Sequence, residues 1–355
     1  MKLRIVFLLL ALVAAVALLA WRQGWIFSPE ESREAQAAAA GAGPVGTVGE
    51  FKDPILDEME AYDAELLKLL QRGEFAALEK RAEEARQGKL EFGNGTRKLS
   101  EFYDALGDCK KGAVGEWDNR MKELEEWFSA TPTSMTAHVA LANFFTSYAW
   151  EARGNGYADT VTEEGWRLFR DRLTKAEVIL KRAKTFPARD SQYWRVYQRV
   201  ALGQSWSAPE HEKLLEEGLA VDPTDMALYI GHAYHLLPRW GGGPGEVEAF
   251  VERASKMPGS PGPEVYARLA LFFDFYHDHL FRDTKLKWAL AKEGFEAWRR
   301  RCPNSIGILS NYAILGTRGN DPATVRRLFK ELGNRLDVRT WKKQERYLYY
   351  RRYVD

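Results

Sequence analysis

The sequence predicts an all-α protein, an array of stacked helix pairs behind a single N-terminal transmembrane helix. Three observations carry this: an uncharged apolar run at the N-terminus, apolar residues spaced three and four apart from Pro54 onward, and prolines recurring at near-regular intervals. Alternating apolar and polar runs are absent, so no sheet is expected.

The N-terminal run extends from Ile5 to Trp21 and contains no charge. Its seventeen residues would span about 25 Å as a helix, close to the minimum for a hydrocarbon core. Lys2 and Arg4 precede it, and only Arg22 follows directly. That asymmetry keeps the N-terminus cytoplasmic and exports the rest, while Trp21 and Trp25 suit the headgroup belt. Residues 1–27 are therefore expected to be a signal anchor in the inner membrane, with the bulk of the chain periplasmic. A cleaved signal peptide, cut after Ala15-Val16-Ala17, is the competing reading; either way the body is exported. Residues 28–53, rich in Ala, Gly and Glu, read as a flexible linker.

The folded region divides into an N-terminal helical cap with a divergent repeat (54–131), a helical-repeat domain (132–334) and a basic-aromatic capping helix (335–355). Pro132, Pro187, Pro223, Pro263 and Pro303 each stand where a helix is about to begin, at spacings of 55, 36, 40 and 40 residues. Positions +9, +10 and +13 from each proline read Leu141, Ala142, Phe145; Val196, Tyr197, Val200; His232, Ala233, Leu236; Phe272, Phe273, Tyr276; and Tyr312, Ala313, Gly316. Thirteen of these fifteen are hydrophobic, where a chain of 45% hydrophobic residues would give about seven. The spacing resembles the tetratricopeptide repeat, best in the unit opened by Pro303, with Tyr312, Ala313, Val325 and Phe329 in register. A helix hairpin of this size cannot bury its apolar face alone, so such units stack as a solenoid and expose an extended surface.

Two segments, Tyr148-Ala-Trp-Glu-Ala-Arg-Gly154 and Leu236-Leu-Pro-Arg-Trp-Gly-Gly242, together with Trp127 ahead of Pro132, resemble a bacterial family catalogued as domain of unknown function 4034. The resemblance spans roughly 99–303. It implies a bacterial helical-repeat domain and supplies no activity.

The chemistry-bearing residues favour binding over catalysis. Lys plus Arg number 51 against 50 for Asp plus Glu, which argues against a general nucleic-acid binder. No nucleophile–base signature or phosphate-binding loop appears, so no enzyme and no cofactor are expected, although carboxylates converging in space would escape such a search. His232 and His235 stand one turn apart without a third ligand, and His277 and His279 point to different sides of a helix, so no metal site is expected. Cys109 and Cys302 lie far apart in the array and are not expected to pair. The segment Arg335–Arg352 holds seven basic and two acidic residues among its aromatics and reads as a cap with a solvated basic face.

Measured from the proline of its unit, each remaining conspicuous residue falls where a first helix ends. These are Trp150, Arg153, Trp206, Arg239, Trp240, His277 and Arg318, with Tyr157 on the long first insertion. Aligned turns would place them along one edge, with the residue types that dominate binding hot spots. The expected partner is an envelope protein or peptide; a glycan is the alternative, and a hydrolase the third class. The competing structural role has each Trp folded inward to seal its own turn.

Overall fold

The computed structural model describes residues 49–51, 53–109, 114–154, 156–186, 189–341 and 344–352. The expected anchor (1–27) and nearly all of the expected linker (28–53) lie outside the described residues, as does Pro187. Within the described residues the chain is almost entirely helical, and no helix there is long and apolar enough to cross a membrane. It divides into two compact units: residues 55–262, and a second formed by 263 onward together with the segment up to Pro54.

The first unit opens with α1 (Pro54–Gln71), α2 (Phe75–Gln87), α3 (Lys98–Gly107) and α4 (Val114–Ala130). Three helix pairs follow: α5 (Met135–Arg153) with α6 (Glu163–Ala183), α7 (Ser191–Gly203) with α8 (Ala208–Val221), and α9 (Met226–His235) with α10 (Glu246–Ala254). Polar side chains set where these helices start. Ser134, Thr162, Asp190 and Asp225 each accept a hydrogen bond from a first-turn N–H of α5, α6, α7 and α9. The central element is α5, which packs against α3, α4, α6 and α7. It is buried on nearly every side from Met135 to Ala149, as its run of Val139, Ala140, Leu141, Ala142, Phe144 and Phe145 requires.

Inside this unit the caps are tied together by buried polar contacts. Asp190, fully buried, caps α7 through Gln192 N–H at 2.9 Å and accepts from the Tyr103 hydroxyl at 2.5 Å. It also accepts from Arg86 Nε and Nη2, at 3.2 and 2.9 Å, and Arg86 Nη2 further reaches Thr136. One turn-opening carboxylate thus joins α2, α3 and α7. The next cap repeats the device: Asp225 accepts from Ser191 Oγ and Gln192 Nε2, both at 2.6 Å, as well as from Ala227 N–H. Burial pushes its carboxyl above the ordinary range.

The second unit holds α11 (Pro263–Asp274), the short α12 (Leu280–Asp283), α13 (Trp288–Arg301), α14 (Ile306–Arg318) and α15 (Pro322–Leu332), with α11 packed on α13 and α14 on α15. Gly294 permits the first of these contacts, because a Cβ there would stand 2.2 Å from the Pro263 carbonyl oxygen.

The repeat register holds at the level of burial. All fifteen marked positions are buried except Phe272 and Tyr276, which are half-buried. Two expectations are corrected. A sheet is present: β1 (Gly49–Phe51) pairs in parallel with β2 (Arg335–Asp337), Glu50 opposite Leu336. The end of the expected linker is therefore a strand, followed by buried Asp53. Likewise the expected C-terminal helix begins as β2 and continues as α16 (Val338–Trp341) and α17 (Gln344–Arg352). Three-residue strands are too short to leave a period in the sequence. Trp341 is buried with Nε1 donating to Ser310 Oγ at 3.0 Å, and Tyr347 donates to the Gly333 carbonyl at 2.8 Å. Cys109 and Cys302 are free thiols.

Asp190→Ala should cost the first unit about 3 kcal/mol in urea denaturation, because part-buried Arg86 loses its enclosed carboxylate and keeps only Glu83, and α7 loses its cap. Tyr103→Phe removes one neutral donor and should cost only about 1 kcal/mol; equal losses would show that Asp190 is merely a cap.

Candidate functional site

Four of the eight residues singled out in the sequence come together in the first unit. Trp150 and Arg153 occupy the last turn of α5, which Gly154 closes at φ +70°. Arg239 and Trp240 lie in a short 3-10 turn, Pro238–Trp240, after α9. Gly241 follows at φ +95°, and at Gly242 the chain passes so close that a Cβ would stand 1.9 Å from the Leu236 carbonyl oxygen. The glycines are thus what brings Trp240 back onto α5.

There the Trp150 and Trp240 rings meet edge to face, with centroids 5.5 Å apart. The Arg153 guanidinium sits 5.6 Å from the Trp150 ring, 5.4 Å from Trp240 and 5.5 Å from Trp166 at the start of α6. Its Nη1 donates to the carbonyls of Gly154 and Gly156, each at 3.1 Å. Arg153 is buried, and burial, followed by the nearby Arg239 charge, pulls it below its ordinary pKa. Three indole faces and two carbonyls replace the carboxylate it lacks. Arg239 differs: it is exposed and lies 5.1 Å over Trp240. Neither arginine is ion-paired among the described residues. The indole N–H of Trp240 is buried without an acceptor there as well.

Trp240 packs on Trp150 and on Tyr234 yet remains part-exposed. Tyr157 is 66% exposed on the adjoining loop. Trp206 stands apart, packed on Tyr197 with Nε1 donating to Gln204 Oε1 at 2.9 Å, and seals its own turn. His277 and Arg318 belong to the second unit, where Arg318 pairs with Asp274 at 2.9 Å and donates to the Asp278 carbonyl. Trp166 went unnoticed in the sequence: it opens the second helix of its pair, away from the turns that drew attention.

A second cluster joins His232 and His235 with a partner that spacing alone did not reveal. His211, fully buried on α8, lies flat against His235, with centroids 3.7 Å and planes 7° apart. His232 Nε2 lies 3.2 Å from Glu212 Oε2, and Arg253 grips the same carboxylate at 2.6 and 2.8 Å. Among the described residues no group of three or more His, Cys, Asp or Glu side chains is arranged to hold a metal ion. A further cleft, of about 330 Å³, lies between α1 and α2, but its Glu65 pairs with Arg81 and its Glu58 with Lys98.

The His211 ring is poised to report pH. Burial first, then His235 and His232, pull its pKa from 6.5 down to about 3, against weak support from the Ala201 backbone. It stays neutral in the fold while the unfolded chain takes up a proton, so stability falls as pH drops from 6.5 toward 3. Glu212, held at about 2 chiefly by His232 and then by Arg253, loses its contribution only below 4.5. Thermal midpoints should therefore fall between pH 6.5 and 4.5. His211→Phe, which keeps the stack without the charge, should flatten that window and leave the decline below pH 4.5. An unaltered profile would remove His211 as its cause.

No curated protein and no solved structure matches the chain. Residues 63–190 match the family model described as Domain of unknown function (DUF4034). The match begins earlier than the expected 99 and stops well before 303: Trp127 and the segment 148–154 fall inside it, and the segment 236–242 falls outside. Over residues 63–190, the chain is similar to this family of domains of unknown function.

Proposed function

We propose that the chain is a non-catalytic scaffold of the bacterial envelope, a tetratricopeptide-like array anchored in the inner membrane by residues 1–27, that binds a protein or peptide partner. The observation that carries the binding is the platform itself. Arg239 lies exposed on a part-exposed Trp240, whose ring is held in place by Trp150 and the internal Arg153. An unpaired arginine on a rigid indole is a contact that a partner can bury at little entropic cost. Location rests on the sequence, through the apolar run Ile5 to Trp21 and the charges around it.

The division of labour between the two arginines favours contact over plug at Arg239 alone. Arg153 is enclosed and serves the fold; among the described residues Arg239 has no hydrogen bond or ion pair and lies over Trp240 alone. Glycan binding is the second reading, favoured by the part-exposed Trp240 ring, on which a sugar could stack beside a guanidinium.

Crosslinked envelopes should yield a reproducible protein partner with the wild-type chain. Arg239→Ala should lose that partner with stability unchanged to within about 0.5 kcal/mol. Trp240→Ala should lose the partner and also cost about 3 kcal/mol. Retention on purified peptidoglycan, abolished by the same substitutions, would replace the peptide reading with the glycan one. A phosphatase reporter fused after Asp355 should be active, with the protein retained in the membrane fraction; an inactive reporter would overturn export.

A further inference from the structure

The buried histidine stack stands at one end of the segment that carries Trp240. His235 is the last residue of α9, and Leu236 and Leu237, both buried, lead from it into the Pro238–Trp240 turn. Hydrogen bonds make this stretch a single piece. Leu236 N–H donates to the His232 carbonyl and Leu237 N–H to that of Tyr234, each at 3.3 Å. The Leu237 carbonyl in turn accepts from Trp240 N–H at 2.8 Å and from Gly242 N–H at 3.3 Å. Tyr234, the neighbour of His235 in the chain, packs on Trp240 with ring centroids 5.8 Å apart. A displacement of His235 therefore carries Trp240 with it, away from the Trp150 ring whose centroid lies 5.5 Å off.

What holds His235 in place is the flat ring of His211 on α8, 3.7 Å away. Such contact suits two neutral imidazoles. Neither nitrogen of the enclosed His211 ring has a hydrogen-bond partner among the described residues, so a proton there would make a buried cation without an acceptor. The groups around the pair offer little relief. The Ala201 backbone of α7 supports a proton on His211 only weakly, and His232 of α9 opposes one on either ring. Glu246 of α10 favours a proton on His235, but less than burial and His232 oppose it. Glu212, next to His211 in α8, is committed to His232 at 3.2 Å and to Arg253 of α10, which Glu216 also attracts. That commitment divides α9 in two. A proton on His232 would tighten its pairing with Glu212, whereas a proton in the stack, one turn later, would push the end of the helix away.

We propose that the His211–His235 stack is an acid-sensitive latch, which holds the Trp240 turn against α5 while both rings are neutral and releases it when one is protonated. This rests on the reading of Trp240 as a contact surface and adds its regulation: a partner engaged at neutral pH is let go in acid. In the closed stack His211 gains a proton only at about pH 3, whereas a released imidazole does so near 6.5. Acid therefore favours the open state, by about 30-fold at pH 5 relative to pH 8 through this ring alone.

Amide hydrogen exchange on the full chain in mild detergent, corrected for the intrinsic rate at each pH, tests the latch. Protection of the segment 236–242 should fall about 30-fold from pH 8 to pH 5. At both pH values it should stay at least about tenfold below that of α5, which opens only with the whole unit. His211→Phe, a flat ring that takes no charge, should remove most of the fall, and His211→Leu serves if that variant does not fold. Protection of 236–242 equal to that of α5 at both pH values would reduce the effect to global stability and overturn the latch. So would protection that ignores pH, or a fall undiminished in a folded variant. No partner enters this readout, so the latch and the envelope capture described above stand or fall separately.

Discussion

The carboxylate of Asp190 is the point on which the first unit turns. A fully buried charge is tolerable only if every lone pair finds a donor, and here the donors come from α2, α3 and the first turn of α7. A residue whose local task is to start a helix thereby fixes the register of that helix against two others. Asp225 passes the constraint on, because the side chains that satisfy it, Ser191 and Gln192, are the first two residues of the helix that Asp190 caps.

The two arginines beside Trp240 sit in opposite surroundings. Arg153 is consumed by its own fold, because two loop carbonyls and three indoles meet all that a guanidinium asks for. Arg239, in the 3-10 turn four residues past the end of α9 at His235, has only one indole face beneath it. Enclosure, rather than residue type, separates the buried cation from the exposed one.

How much of this was legible in the sequence follows from how local each signal is. The helix pairs were legible because prolines mark helix starts and the 3.6-residue period repeats within a short window, which is why Leu141, Val200 and Tyr312 are buried as expected. Trp150, Arg153, Arg239 and Trp240 were legible as turn residues, but their convergence depends on Gly242 folding the chain back, which no spacing rule encodes. Trp166, His211 and Asn143 were silent for a related reason: each owes its role to a partner on another helix. Asn143 in particular is one polar residue in an apolar run, and only its placement between the Tyr103 carbonyl and Arg199 gives it meaning. The strands β1 and β2 were invisible because three residues carry no period, and their pairing joins segments nearly the whole folded chain apart.

That pairing has a bearing on the order of assembly. Residues 55–262 form a continuous unit and can complete their contacts as soon as they are made. The other unit is interrupted by them, and β1 meets its partner only when Asp337 has been synthesised. Contacts of such long sequence separation form late, after the entropy of closing the intervening chain has been overcome. Residues 55–262 therefore fold first, and the strand Gly49–Phe51 is locked last, by residues some 285 positions later in the chain.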